Sequence, residues 1–297
     1  MLGPTLALLL ASAQSPPDGA IVVTGTRITR EEARRRAVEF VDRMGIGAGD
    51  RPVARWSEPV CPHVQGLDER LANRVETRMR SAAAAAGIRL ARPGCETNIV
   101  VQFTTDAGPV MRRIARRAPA YLDGVPVAER EGLYSAAAPV RWVYATAVRS
   151  IDGLDATQGQ AMFAGGGEGG VGMALPPGVP TILNYNSSMV STQTARVLAG
   201  AAIVVDANLA AGKTLDAVAD YAAFVAFAEI RPNDPAPEDS ILTLFRDAGG
   251  AQALTGWDNA FLTALYRIPL DRLGRRHRGM LVRELVEAAG GAARGSR

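Results

Sequence analysis

Ala202-Ile203-Val204-Val205-Asp206-Ala207-Asn208-Leu209-Ala210-Ala211-Gly212-Lys213-Thr214 runs directly into Leu215-Asp216-Ala217-Val218-Ala219-Asp220-Tyr221-Ala222-Ala223-Phe224-Val225-Ala226-Phe227-Ala228-Glu229-Ile230. The first four residues have the β-branched content of a strand. From Thr214 onward, Leu215, Val218, Ala222 and Val225 make a helix that is apolar almost all round, as a core element requires. The loop between them fits a relaxed P-loop, with Ala207 for its first glycine and Lys213, the only lysine in the chain, in place. Too few strands follow to complete a nucleotide-binding sheet, so the expectation is a helix-start loop in which Thr214 caps the next helix.

Working upstream, Val140-Arg141-Trp142-Val143-Tyr144-Ala145 and Asn98-Ile99-Val100-Val101-Gln102-Phe103 read as strands, separated by an arginine-rich helix from about Gly108 to Ala118. A helix spans roughly Asp68 to Ala86 and stops at Gly87. Another opens at the Thr29/Glu32 capping pair and reaches about Met44, with Glu31/Arg35 and Glu32/Arg36 at the favourable spacing. Ile21-Val22-Val23-Thr24 is a further strand candidate. Downstream, Pro232, Pro235 and Pro237 break the chain before terminal helices near Thr255 to Arg267 and Leu273 to Ala289. This order predicts an α/β or α+β fold, a mixed sheet with packed helices and a helical C-terminal region. Residues 21–163 form an N-terminal α/β part and 181–297 a C-terminal part with a helical end. Between them, 164–180 is rich in glycine and proline. It contains a Gly-x-Gly-x-x-Gly spacing at Gly165 to Gly170, but Pro176 and Pro177 follow too soon for a helix to present its N-terminus to a dinucleotide.

The first residues point to export. Thr5 to Leu10 is apolar and closes on Ala11-Ser12-Ala13, the shape of a signal peptide at 1–13 cleaved after Ala13, with 14–20 as a linker. The apolar run falls well short of the roughly twenty residues a membrane span needs. A periplasmic or secreted location makes the two cysteines, Cys61 and Cys95, a disulfide pair rather than metal ligands. Closing a loop of that length contributes about 4 kcal/mol in the chain-entropy model.

Net charge is +3 and the sequence pI is near 9.1. That excess falls short of a nucleic-acid binder unless it is concentrated on one face. Arg112 with Arg116 and Arg113 with Arg117 place like charges one turn apart. Each pair costs a few tenths of a kcal/mol unless something anionic faces it, so these four arginines are the candidate contact for an anionic membrane surface or acidic partner. The chain has two histidines, His63 and His277, and both read as surface residues without a partner histidine. Catalytic triads and zinc sites depend on histidine, which leaves no catalytic residue, metal or cofactor to assign.

From Ala202 to Tyr266 the order of strand, helix, tight turn and helix ending in Leu265-Tyr266 is similar to the core of metzincin-type zinc metalloproteases. The family's active-site helix carries His-Glu-x-x-His-x-x-Gly-x-x-His. In this chain Asp220 stands for the first histidine, Tyr221 for the glutamate base, Phe224 for the second histidine, Phe227 for the glycine and Ile230 for the third histidine. Ser240-Ile241-Leu242 resembles the methionine turn with leucine for methionine, and Leu254-Thr255-Gly256-Trp257-Asp258 resembles the start of the next helix. The helix at 68–86 and the strand at 98–103 sit where that fold has its first helix and a core strand. The run Asp206 to Ala228 also resembles a group of uncharacterised exported proteins of alphaproteobacteria. The resemblance implies a zincin-like scaffold without its zinc ligands, a pseudoenzyme in the role of a binding or accessory module for a peptide or cell-envelope protein. Asp220, Tyr221, Phe224 and Phe227 are its candidate binding residues. The alternative is a metal-independent hydrolase built on carboxylates among Asp206, Asp216, Asp220 and Glu229.

Overall fold

The structure, a computed structural model, describes residues 29–47, 49–135, 137–151, 157–158, 180–181, 191–231, 235–246 and 249–292. The expected signal peptide 1–13, linker 14–20, strand 21–24 and residues 164–179 lie outside the described residues. The elements run α1 (Arg30–Arg43), β1 (Arg55–Trp56), β2 (Pro62–Gln65), α2 (Glu69–Ala85), β3 (Ile99–Thr104), α3 (Ala107–Arg117), a 3-10 turn (Pro119–Leu122), α4 (Val127–Ser135), β4 (Val140–Ser150), β5 (Thr157–Gln158), β6 (Pro180–Thr181), β7 (Thr194–Asp206), α5 (Leu215–Phe227), a 3-10 turn (Ile241–Thr243), α6 (Gly256–Arg267) and α7 (Gly274–Ala292).

The fold is α/β, and β7 is its axis. Val197 and Leu198 pair in parallel with β1, and Ala201 to Asp206 pair in parallel with β3, which in turn carries β2 on its far side. The other edge of β7 is taken by antiparallel β4, from Val140 opposite Val205 to Ser150 opposite Thr194, with one register shift at Ala145/Thr146. Hence the central stretch of β7 is apolar without alternation. Ala201, Ile203 and Val205 enter the larger core with α1, α2, α5, α6 and α7, while Ala202 and Val204 enter a smaller core with Met111, Leu122 and Val125. A strand covered on both faces has no polar side to show. β4 and β7 lie on opposite sides of residues 164–180, so both parts of the chain build one sheet.

Helix boundaries follow the caps. Thr29 Oγ1 accepts from Glu32 N, Asp68 Oδ1 from Leu71 N, Thr214 Oγ1 from Ala217 N and Thr255 Oγ1 from Asp258 N. Cys61 and Cys95 form a disulfide, with Cα atoms 6.1 Å apart, tying the start of β2 to the loop before β3. Among the described residues no helix is long and apolar enough to cross a membrane.

Candidate functional site

Helices α2 and α5 lie side by side and leave an open groove of about 720 Å³ along their seam. On α2, Val75, Met79, Ala82 and Ala83 turn into the core, which leaves Arg70, Arg74 and Arg78, each one turn from the next, along the groove. On α5 the matching row is Asp216 and Asp220. The two rows meet as fork-to-fork pairs: Arg74 Nε and Nη2 donate to Asp216 Oδ1 and Oδ2 at 2.8 and 2.7 Å, and Arg78 Nε and Nη2 donate to Asp220 at 2.6 and 2.7 Å. Asp220 Oδ2 also accepts from Leu254 N at 3.1 Å, which fastens the segment before α6 to the groove floor. Arg70 makes no ion pair with any described residue.

The two pairs differ in setting. The Asp220 side chain is 4% exposed against 39% for Arg78, whereas Asp216 and Arg74 are 34% and 61% exposed. The hydrogen bond from Arg74 holds the Asp216 carboxyl below the usual carboxylate range, against a smaller desolvation effect and with the charges of Arg74 and Arg78 assisting. The same contact raises Arg74, and the hydrogen bond to Asp220 raises Arg78.

The four candidate binding residues, Asp220, Tyr221, Phe224 and Phe227, do not form one accessible face. Asp220 reaches the groove, but Phe224 and Phe227 are fully buried and Tyr221 is nearly so. Phe224 packs against Phe261 at 5.9 Å between ring centroids, and Tyr221 lies edge-on to Trp142 and Phe245 at 6.0 and 5.4 Å. Burial pushes the Tyr221 hydroxyl well above its ordinary range. The reason is that α5 is covered all round by the sheet, α2, α6 and the 241–243 turn, so its aromatic rings pack rather than wait for a ligand. Ile230 is fully buried as well.

Ser240-Ile241-Leu242, aligned with the methionine turn, is a 3-10 turn held from below by a fully buried carboxylate. Asp258 Oδ1 accepts from Ser240 Oγ at 2.6 Å, and Oδ2 accepts from Ile241 N and from the backbone and hydroxyl of Thr255. Burial raises the Asp258 carboxyl, and the Ser240, Thr255 and Ile241 bonds oppose that rise.

The remaining carboxylates are anchored apart. Asp206 caps the 207–209 turn through Asn208 N and Leu209 N and accepts from Ala107 N at the start of α3. Glu229 Oε1 accepts from Arg51 and Arg196, and Oε2 from Arg196, at 2.7 to 3.0 Å. Arg112, Arg113, Arg116 and Arg117 are exposed on α3, and none makes an ion pair with a described residue. His63 is half exposed beside Glu76, as expected. His277 corrects its reading: it is fully buried, with Nδ1 accepting from Val53 N at 3.2 Å and Nε2 at 2.9 Å from Pro269 O. Its place at the start of α7, facing the 50–53 segment, puts it inside despite three flanking arginines. Among the described residues no group of three or more His, Cys, Asp or Glu is placed to hold a metal ion.

Sequence reasoning missed the α2 arginine row, although the matching one-turn spacings of Arg74/Arg78 and Asp216/Asp220 carried the signal. The Arg51, Arg196 and Glu229 contact gave none, because its members are far apart in the chain. No protein-family model, curated protein or solved structure matches this α/β chain.

Proposed function

We propose that the protein is an exported, non-catalytic binding or accessory module on a zincin-like scaffold, and that the α2–α5 groove is where it takes a peptide segment of a cell-envelope partner. The order β7, α5, the 241–243 turn and α6 supports the scaffold, and the disulfide suits an oxidising compartment. The observation that carries the reading is the arginine–aspartate ladder on the groove floor. At the position aligned with the first zinc ligand, the carboxylate is already committed to Arg78 and Leu254, so it serves as a fixed wall rather than an acid or a base. Arg70, at the open end of the ladder, offers an unpaired guanidinium to an acidic side chain, and Asn73, Thr77 and Asn259 offer hydrogen bonds to an extended backbone.

The test is fluorescence anisotropy of labelled decapeptides carrying one or two glutamates, with neutral versions as controls. Saturable binding of the acidic peptides, weakened at least about tenfold by Arg70→Glu, is expected for one lost charge-assisted contact. Equal affinity for neutral peptides, or no effect of Arg70→Glu, would overturn the assignment.

A further inference from the structure

A second cavity, sharing no residue with the α2–α5 groove, lies between the Val125–Leu133 segment, β4 and Ile230–Arg231, with a volume of about 320 Å³. Val125, Leu133 and Trp142 are among the residues of its wall, and two arginines, Arg141 and Arg231, line it as well. Trp142 is held in place by its indole N–H, which donates to Ile230 O at 3.1 Å. The Arg231 Nε is buried and has no hydrogen-bond partner, and the side chain makes no ion pair with a described residue. A buried donor left without an acceptor costs about 1–3 kcal/mol, and Arg231 carries that cost beside the cavity it lines.

The surroundings add to that cost. Arg231 Nη2 and Arg51 Nη2 both crowd Gly124, where a Cβ would stand 3.0 and 3.2 Å from them, with Glu229 Oε1 at 3.8 Å. Glu229 gives its oxygens to Arg51 and Arg196. Three guanidinium groups therefore gather around one carboxylate, and the excess positive charge falls on Arg231. Burial holds Arg51 below the usual arginine range; Glu229 opposes this, while the charges of Arg196 and Arg231 add to it.

We infer that this cavity binds a small monocarboxylate with an apolar body, its carboxylate meeting Arg231 beside Arg141 and its body lying against Val125, Leu133 and Trp142. An apolar pocket with a few convergent polar groups is the usual form of a small-molecule site, and this volume is at the lower end of that range. Glu129, exposed at the cavity's edge, disfavours a second negative charge on the ligand.

Calorimetric titration of the full chain with phenylacetate and with hexanoate tests the site. One-site saturable binding is expected, weakened at least about tenfold in Arg231→Gln and with phenylacetamide in place of phenylacetate. Gly132→Phe should also block it, since Gly132 is on the cavity wall and a Cβ there meets no atom within 4 Å, and an unchanged circular-dichroism spectrum checks that the variant is folded. Arg74→Gln, in the other groove, should leave the affinity unchanged. Absence of saturable binding for both acids, equal affinity for the amide, or retention of affinity in Gly132→Phe would overturn the inference, whether or not Arg231→Gln folds.

Discussion

Asp220 accepts three hydrogen bonds from two separate parts of the chain, and its carboxylate is almost out of reach of water. Replacing it removes both bonds to Arg78 and strands the Leu254 N–H. Asp220→Ala should therefore lower stability by about 2–4 kcal/mol. Asp216→Ala, one turn away, should leave the melting temperature nearly unchanged, because water screens that pair. Chemical denaturation of the two variants side by side checks the contrast. Equal losses would mean that burial is not what distinguishes them.

His277 makes a second prediction at this scale. Burial lowers its pKa below the ordinary 6.5, with Arg55 and Arg272 pushing the same way and the Pro269 carbonyl and Asp271 opposing. The neutral ring accepts from Val53 N, and a protonated Nδ1 could not. The unfolded chain thus takes up a proton before the folded one does. Stability from this residue is fully present above about pH 6.5 and is lost as pH falls through the lowered folded value. Melting temperature should drop between pH 7.5 and 5, and His277→Gln should flatten that drop. An unchanged slope in the variant would remove His277 as the cause.

At the level of elements, what was legible in the sequence was what local chemistry dictates. The four cap residues Thr29, Asp68, Thr214 and Thr255 mark helix starts because each satisfies backbone donors within three residues. Helix α4 was not foreseen, since Val127–Ser135 buries none of its residues and so shows no apolar stripe. Two-residue β1 and four-residue β2 are too short to display a period. β4 and β7 extend past their apolar cores, to Ser150 and back to Thr194, because each completes the other's ladder and the pairing needs no hydrophobic signal. In the groove, the α5 aspartates were visible and their arginine partners were not named, since the packing of α2 beside α5 is a tertiary fact.

Helix α3 carries the prediction for this scale. Its Ala107 and Met111 face the smaller core, and its four arginines face outward with like charges one turn apart. Arg112→Glu converts a repulsive pair into a Glu-before-Arg pair with Arg116 and should raise stability by about 0.5 kcal/mol. If α3 is also the face that meets an anionic membrane, the same variant should reduce adsorption to phosphatidylglycerol vesicles, and added salt should weaken adsorption of the parent chain. A stability loss in Arg112→Glu would show that the arginine has a partner within the fold.

For the whole molecule, the decisive arrangement is that α1 and α7 pack against each other across the length of the chain. Ala33, Ala37, Phe40 and Val41 of α1 are buried, and Phe40 sits against Trp257 and Phe261 of α6. Asp42 pairs with Arg278, Asp50 with Arg275, and Val53 N with His277, so α7 fastens the end of α1 and the chain after it at three points. A chain that emerges N-terminus first makes α1 long before the helices that cover it. The apolar stripe of α1 has no local neighbour to shelter it in the interval. Half-made chains should therefore stick together through that stripe, and the yield of folded protein from cell-free synthesis should rise when a holdase that masks it is added.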